Sequence, residues 1–272
     1  MPRNKLAFVI VLTAAILMAA ASANAGDWFD KVFGIRTTNG IEGSGDLVSE
    51  DRDVDEFTRI ESSGPFDVVV TFGDKQSVSI TFDDNLIDLV ETNVRRKTLQ
   101  IYSDENFDSE HSCRVEVTIP KLERVVTRGS GDITVESVSG KRFDCRVNGS
   151  GDIMVGEMAC DRVECSIHGS GDIVLQRLDG EFVECLIHGS GDFSAEGKVD
   201  EIEISIHGSG DVDTRDLRAQ TADVTVQGSG DVRVHCEDSF DGAVYGSGDI
   251  IFYGDPKHIS KHVSGSGSIR GR

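Results

Sequence analysis

Seven carboxylates recur behind the same three residues: Asp132, Asp152, Asp172, Asp192, Asp211, Asp231 and Asp249 each close a Gly-Ser-Gly-Asp tetrad, and Asp46 closes an earlier copy. Such a column suits two kinds of chemistry. Ca2+ takes several oxygens with flexible geometry, and a Ser hydroxyl lies beside every Asp. The plainer alternative is turn chemistry, in which each Asp accepts backbone N–H groups from its own turn and keeps its charge. Calcium is therefore the one cofactor candidate.

The position before each tetrad forms a second series: Asn148, His168, His188, His207, Gln227 and Tyr245, flanked by Arg128 and Ser264. Three successive histidines suit metal chelation from adjacent rungs, a pH-dependent contact strip, or a stacked polar ladder. A third series, Asp144, Glu164, Glu184, Glu203, Asp223 and Asp241, is expected to form an outward, solvated acidic wall. Paired carboxylates are plentiful, but none breaks the repeat at one place, and no nucleophile, phosphate loop or helix-borne metal motif appears. Catalysis is not expected.

The spacing says which elements must position these residues. From Gly129 the tetrads start at intervals of 20, 20, 20, 19, 20 and 18, and a Gly-Ser-Gly-Ser variant follows 19 later at Gly265. A fixed period near 20 over so many copies marks a solenoid. Residues alternate on both sides of each tetrad, as in Val163-Glu164-Cys165-Ser166-Ile167-His168 and Ile173-Val174-Leu175. Period-two alternation with Val and Ile on one parity predicts short half-buried strands, with the tetrad as the corner between them. The fold class is thus all-β, a parallel β-helix with coils of about 20 residues.

Residues of successive coils then stack about 4.8 Å apart. One inner ladder is predicted at Val147, Ile167, Ile187, Ile206, Val226, Val244 and Val263. A second is predicted at Ile133, Ile153, Ile173, Phe193, Val212, Val232, Ile250 and Ile269. Residues from about 40 to 120 are less regular and read as the start of the same helix with larger coils. Cys145, Cys165 and Cys185 keep the repeat on inward positions and read as core filler rather than disulfides, while Cys113, Cys160 and Cys236 have no partner that spacing can name.

The first 25 residues have Arg3 and Lys5, an apolar run and an Ala23-Asn24-Ala25 end, the layout of a cleaved export signal. Residues 26–56 are expected to form an N-terminal cap, with Trp28, Phe29, Val32 and Phe33 on a short amphipathic segment, and a lead-in strand. Residues 57–272 are assigned to the solenoid. The formal charge of −21 becomes more negative once Arg3 and Lys5 are removed. That excludes nucleic acid as a partner class and disfavours anionic membrane surfaces. The mature chain is not expected to span a membrane. No cap is read after Gly265, so end-to-end self-association is a candidate property.

The order FTRIESSGPFDVVVTFGDKQSVSI, DNLIDLVETNV, TLQIYS and VEVTIPKLERVVTRGSGDI, followed by the remaining corners, resembles the exported bacterial auto-transporter adhesin head GIN domain over 57–253. The resemblance implies a right-handed β-helix and a periplasmic or cell-surface setting. No translocator barrel or anchoring segment is read in the chain, so an auto-transporter role is not expected. The function expected is that of an exported non-enzymatic adhesin or binding scaffold for an envelope polymer, a glycan or a protein surface. The alternatives are a self-associating structural solenoid and a polysaccharide-active enzyme.

Overall fold

Every corner is built from backbone packed on backbone, which is why the tetrads must be glycine-rich. The computed structural model describes residues 40–272. A Cβ on Gly191 would lie 2.1 Å from the Gly171 carbonyl oxygen, and one on Gly189 would lie 2.2 Å from that of Gly169. Gly189 also has φ +146°, a conformation that side chains resist. The close approach lets each Gly carbonyl accept N–H groups from the coil above. Gly149 O takes Ser170 N at 2.9 Å and Gly171 N at 3.3 Å, and Gly169 O takes Ser190 N and Gly191 N at 2.9 and 3.2 Å.

From corner to corner the chain runs as extended strand, for example Ile153–Gly169, Phe193–Gly208 and Val212–Gly228. Neighbouring coils pair in parallel, and the fold is a parallel β-helix. Both predicted inner ladders are in register. Val147 pairs with Ile167, Ile187, Ile206, Val226, Val244 and Val263 in turn. Ile133 leads the second series through Ile153, Ile173, Phe193, Val212, Val232 and Ile250 to Ile269. Their members are buried except at the last coil, where Val263 is 43 % exposed because no described coil lies above it. Each buried Ile or Val contributes roughly 1.5–3 kcal/mol. The six cysteines are buried free thiols, and Cys145, Cys165 and Cys185 stack on one another as filler. Burial holds the Cys145 and Cys185 thiols well above their usual pKa.

Shorter coils lose their residues on the side away from the corners. Register shifts fall between Ser194 and Gly197 and between Thr214 and Arg218, while corner pairings such as Gly208 with Gly228 stay aligned. The core of the upper coils is closed by Phe240 stacked on Phe252, with ring centres 4.4 Å apart. Lys261 Nζ lies 4.6 Å from the centre of the Phe252 ring.

The region before the first regular corner departs from expectation. Arg59–Ser63 and Phe66–Phe72 do stack under the regular coils, and Thr98–Tyr102 and Cys113–Ile119 stack under those. Coil order is therefore not chain order: residues 59–72 lie between a later segment below and a still later one above. The other pairings within residues 47–119 are antiparallel. Leu47–Asp51 pairs with Ser77–Asp83, which pairs with Cys113–Ile119, and Glu91–Arg95 forms a hairpin with Thr98–Tyr102. Arg96 and Lys97 make its two-residue turn with φ +51° and +64°, as the twist of a tight hairpin requires. No 20-residue period can exist where strands run both ways. Ile41–Glu42 pairs with Phe107–Asp108 in a small unit of its own. The export signal and the aromatic cap lie outside the described residues.

Gly191→Ala is expected to destabilise the fold by about 3 kcal/mol or more, because the clash is with backbone that two coils share. Ser190→Ala on the exposed side of the same corner should stay within about 0.5 kcal/mol. Urea unfolding of the two variants reads the difference.

Candidate functional site

The corner carboxylates find their partners on the next coil, not in their own turns as expected. Asp152 N donates to Asp132 Oδ1 at 2.8 Å, Asp172 N to Asp152 Oδ1 at 2.8 Å and Asp192 N to Asp172 Oδ1 at 2.7 Å. The series continues through Asp211, Asp231 and Asp249 at 2.8, 2.8 and 2.9 Å. Each Asp carbonyl also accepts the N–H of the strand leaving the corner below, as in Ile173 N to Asp192 O at 3.0 Å. The column is thus a set of inter-coil clamps. Ser268 ends it by donating both N–H and Oγ to Asp249 Oδ1, at 2.7 and 2.8 Å.

Asp46 is not part of this column. Its tetrad instead wraps the buried Asp83, whose Oδ1 accepts Gly45 N at 2.6 Å and whose Oδ2 accepts the Ser109 hydroxyl. The Ser109 bond leads in holding Asp83 below the usual carboxylate range, against burial and with help from Gly45 N–H. The column starts at Asp67, which accepts Asp132 N at 3.2 Å. Gly64-Pro65-Phe66-Asp67 is therefore a degenerate corner, and its Gly-x-x-Asp spacing was the sequence clue to it.

His168, His188 and His207 lie flat on one another, with ring centres 5.0 and 4.7 Å apart and planes 7° and 3° from parallel. Ring-nitrogen lone pairs lie in the ring plane, so stacked imidazoles point side by side and do not converge on one ion at the 2.0–2.1 Å that zinc needs. Among the described residues no group of three or more His, Cys, Asp and Glu is arranged to hold a metal. Gln227, Tyr245 and Ser264 continue the histidine column, and Tyr245 is 48 % exposed. Asn148 precedes it, with its N–H on Thr127 O at 2.8 Å.

The second acidic series divides into two halves. Its upper members, Glu203, Asp223 and Asp241, are exposed as expected, and partial desolvation by its neighbours, followed by the charges of Asp241 and Glu201, raises the pKa of Asp223. Its lower members are locked in arginine pairs. Asp144 is buried at 3 % exposure, with Arg124 Nη2 and Arg146 Nε each 2.8 Å away. Glu164 takes Arg162 Nε at 2.8 Å and also Arg142, and Arg162 reaches on to Glu184 at 3.3 Å.

These arginines border a feature that sequence reading missed. A cleft of about 690 Å3 is lined by Arg59, Lys121, Leu122, Glu123, Arg124, Ser139, Gly140, Lys141, Arg142 and Asp144. It forms where the segment leading into Arg124–Thr127 faces the bend at Gly140, whose φ is +155°. Glu123 is shared by Lys121 at 2.7 Å and Arg59 at 3.7 Å, and the Lys121 bond leads in lowering its pKa despite burial. A smaller hollow of about 210 Å3 beside it runs from Asp144 and Arg146 to His168 and Leu186. The clue was available in the alternating runs Arg124-Val125-Val126-Thr127-Arg128 and Arg142-Phe143-Asp144-Cys145-Arg146, where arginines occupy outward positions on consecutive coils.

Burial, then His207 and His168, lowers the pKa of His188. The folded chain thus holds less proton on this ring than the unfolded chain, whose His titrates near about 6.5. The corresponding stability is fully present above about pH 6.5 and is lost as pH falls through that value toward the folded pKa. Melting temperature should therefore fall on acidification well before the carboxylates titrate near about pH 4, and His188→Asn should flatten that step. Asp172, by contrast, has its pKa raised by burial first and then by Asp152 and Asp192, against the Asp192 N–H bond. Asn keeps the acceptor without the charge, so Asp172→Asn should melt higher than wild type at low ionic strength, with the gap closing as salt is added.

A family model described as "Putative auto-transporter adhesin, head GIN domain" matches residues 56–256. No curated protein matches the chain. Among solved structures, a putative lipid binding protein from Parabacteroides distasonis ATCC 8503 is 27% identical with a TM-score of 0.80, covering 85% of this chain and 99% of its own. A putative adhesin from the same organism is 24% identical with a TM-score of 0.78 over 85% and 99% of the two chains. One from Parabacteroides merdae ATCC 43184 is 20% identical with a TM-score of 0.78 over 86% and 100%. These last two show the shared fold. With the family match spanning most of its length and the stacked corners in place, this chain belongs to the auto-transporter adhesin head GIN domain family.

Proposed function

We propose that the protein is an exported, non-enzymatic binding protein of the cell envelope or cell surface, which engages an extended polymer along the outer face of the strands that approach the corners. One observation carries this reading: a cleft of about 690 Å3 is linked, through the smaller hollow that shares Asp144 with it, to a column of stacked polar side chains on that face. Family membership supports adhesion as the class of activity, and the names given to the Parabacteroides proteins, adhesin and lipid binding protein, are both binding roles. The leader-like first 25 residues support export.

The electrostatics of the cleft support a non-enzymatic role. A general acid needs a raised pKa. Glu123 is shifted the other way by Lys121, and Asp144 is gripped by two arginines. The interior is filled by stacked Ile, Val and Phe side chains, which supports binding on the surface. Self-association is favoured separately by the last coil, where Ile259 is 52 % exposed on an outer strand.

Purified protein applied to an array of envelope and host polysaccharides, with calcium and with chelator in parallel, is expected to retain a defined polymer in both conditions, because the corner carboxylates already serve as inter-coil clamps. Binding seen only with calcium would reassign the Asp column as a cation site. Absence of binding to any polymer would remove this reading.

A further inference from the structure

The chain is strongly acidic, yet the cleft is lined by five cationic side chains against two carboxylates. Each carboxylate is already spent. Glu123 is divided between Lys121 and Arg59, and Asp144 between Arg124 and Arg146. Lys141 is exposed and makes no ion pair among the described residues. Arg142 in turn pairs with Glu164, outside the lining, so six cations, Arg146 included, meet three carboxylates and the cleft keeps a local positive excess. The cations also rise along the solenoid: Arg59 stacks under Arg124, which stacks under Asp144, and Arg142, on the Asp144 strand, stacks under Arg162. Successive coils thus carry arginines on strands about 4.8 Å apart along the axis.

We propose that this cleft binds a linear acidic polysaccharide through the carboxylates of its sugar units. The proposal rests on the binding reading above and names its ligand class. Guanidinium forks match carboxylates in paired hydrogen bonds. The Ser139 hydroxyl, on the cleft wall, can both donate to and accept from a sugar hydroxyl, a contact that a bare polyanion does not use. A membrane surface fits less well, because none of the exposed large apolar side chains lines the cleft. An added protein strand also fits less well, because Arg124–Thr127 is paired on both sides and offers no open edge here.

The test is calorimetric titration with an oligogalacturonate and with a neutral galactose oligomer of equal length. Wild-type protein is expected to bind the acidic oligomer only, more weakly as salt is raised. The double variant Lys121→Glu/Lys141→Glu should bind it at least about tenfold more weakly with a melting temperature within about 3 °C of wild type, since both side chains are exposed and Lys121 gives up only a surface pair with Glu123. Lys198→Glu, three coils above Ser139 and outside the cleft, should bind like wild type. If the wild type holds array polymers and the double variant holds them equally well, the cleft assignment falls while the binding function stands. If the wild type binds neither the oligogalacturonate nor any array polymer, both fall. Equal affinity for hexaglutamate, or equal adsorption to phosphatidylglycerol vesicles, also overturns the assignment to an acidic sugar.

Discussion

The close contact of glycine backbones at the stacked corner governs everything else in this molecule. A carbonyl oxygen sits within about 2.2 Å of where a Cβ would be, at both glycines of most tetrads. With no side chain between them, two coils approach closely enough for one carbonyl to accept two N–H groups. Any residue larger than glycine would push the coils apart at one point and open the ladders on either side. Register, inner packing and the alignment of outward side chains therefore all follow from the corner.

The same constraint forces an electrostatic problem and supplies its relief. Two carboxylates about 4.8 Å apart repel by about 0.9 kcal/mol in water and about 3.5 kcal/mol at an effective dielectric of 20. Each corner Asp is offset by the N–H of the Asp above it, and the column ends at Ser268, which donates to Asp249 and adds no further charge. The second acidic column is relieved differently. Arginines neutralise its lower half, and exposure to water serves its upper half. One face of the solenoid is thereby divided along its length into an arginine-rich part and an acidic part. The stacked histidines stand beside the junction between them.

The cleft owes its existence to the break in regularity at the first coils. Residues 59–72 are inserted between segments that follow them in the chain, and the chain must climb from Ile119 back above Arg59 before the regular repeat begins. The connecting residues 121–123 line a space together with the Gly140 bend. Further up, coil meets coil in register and the approach face is flatter. The irregular coil thus provides the concavity, and the regular coils provide a straight track leading away from it.

Period and parity alone determined the β-helix, the corners and both inner ladders, because a solenoid maps sequence separation onto spatial stacking: residue n meets residue n+20 wherever the interval holds. That mapping placed Cys165 on Cys145 and His188 on His168 without any tertiary information. It failed where the interval fails. The antiparallel strands at 47–51, 77–83 and 91–95 have no period to announce them, and Asp46 shares the tetrad but not the stack. Only the tertiary structure decided which atom each Asp oxygen meets, that the histidine rings lie flat on one another, and that arginines from separate coils enclose one cleft. Those outcomes depend on distances of a few tenths of an ångström and on side chains brought together from remote parts of the chain, which a repeat pattern does not encode.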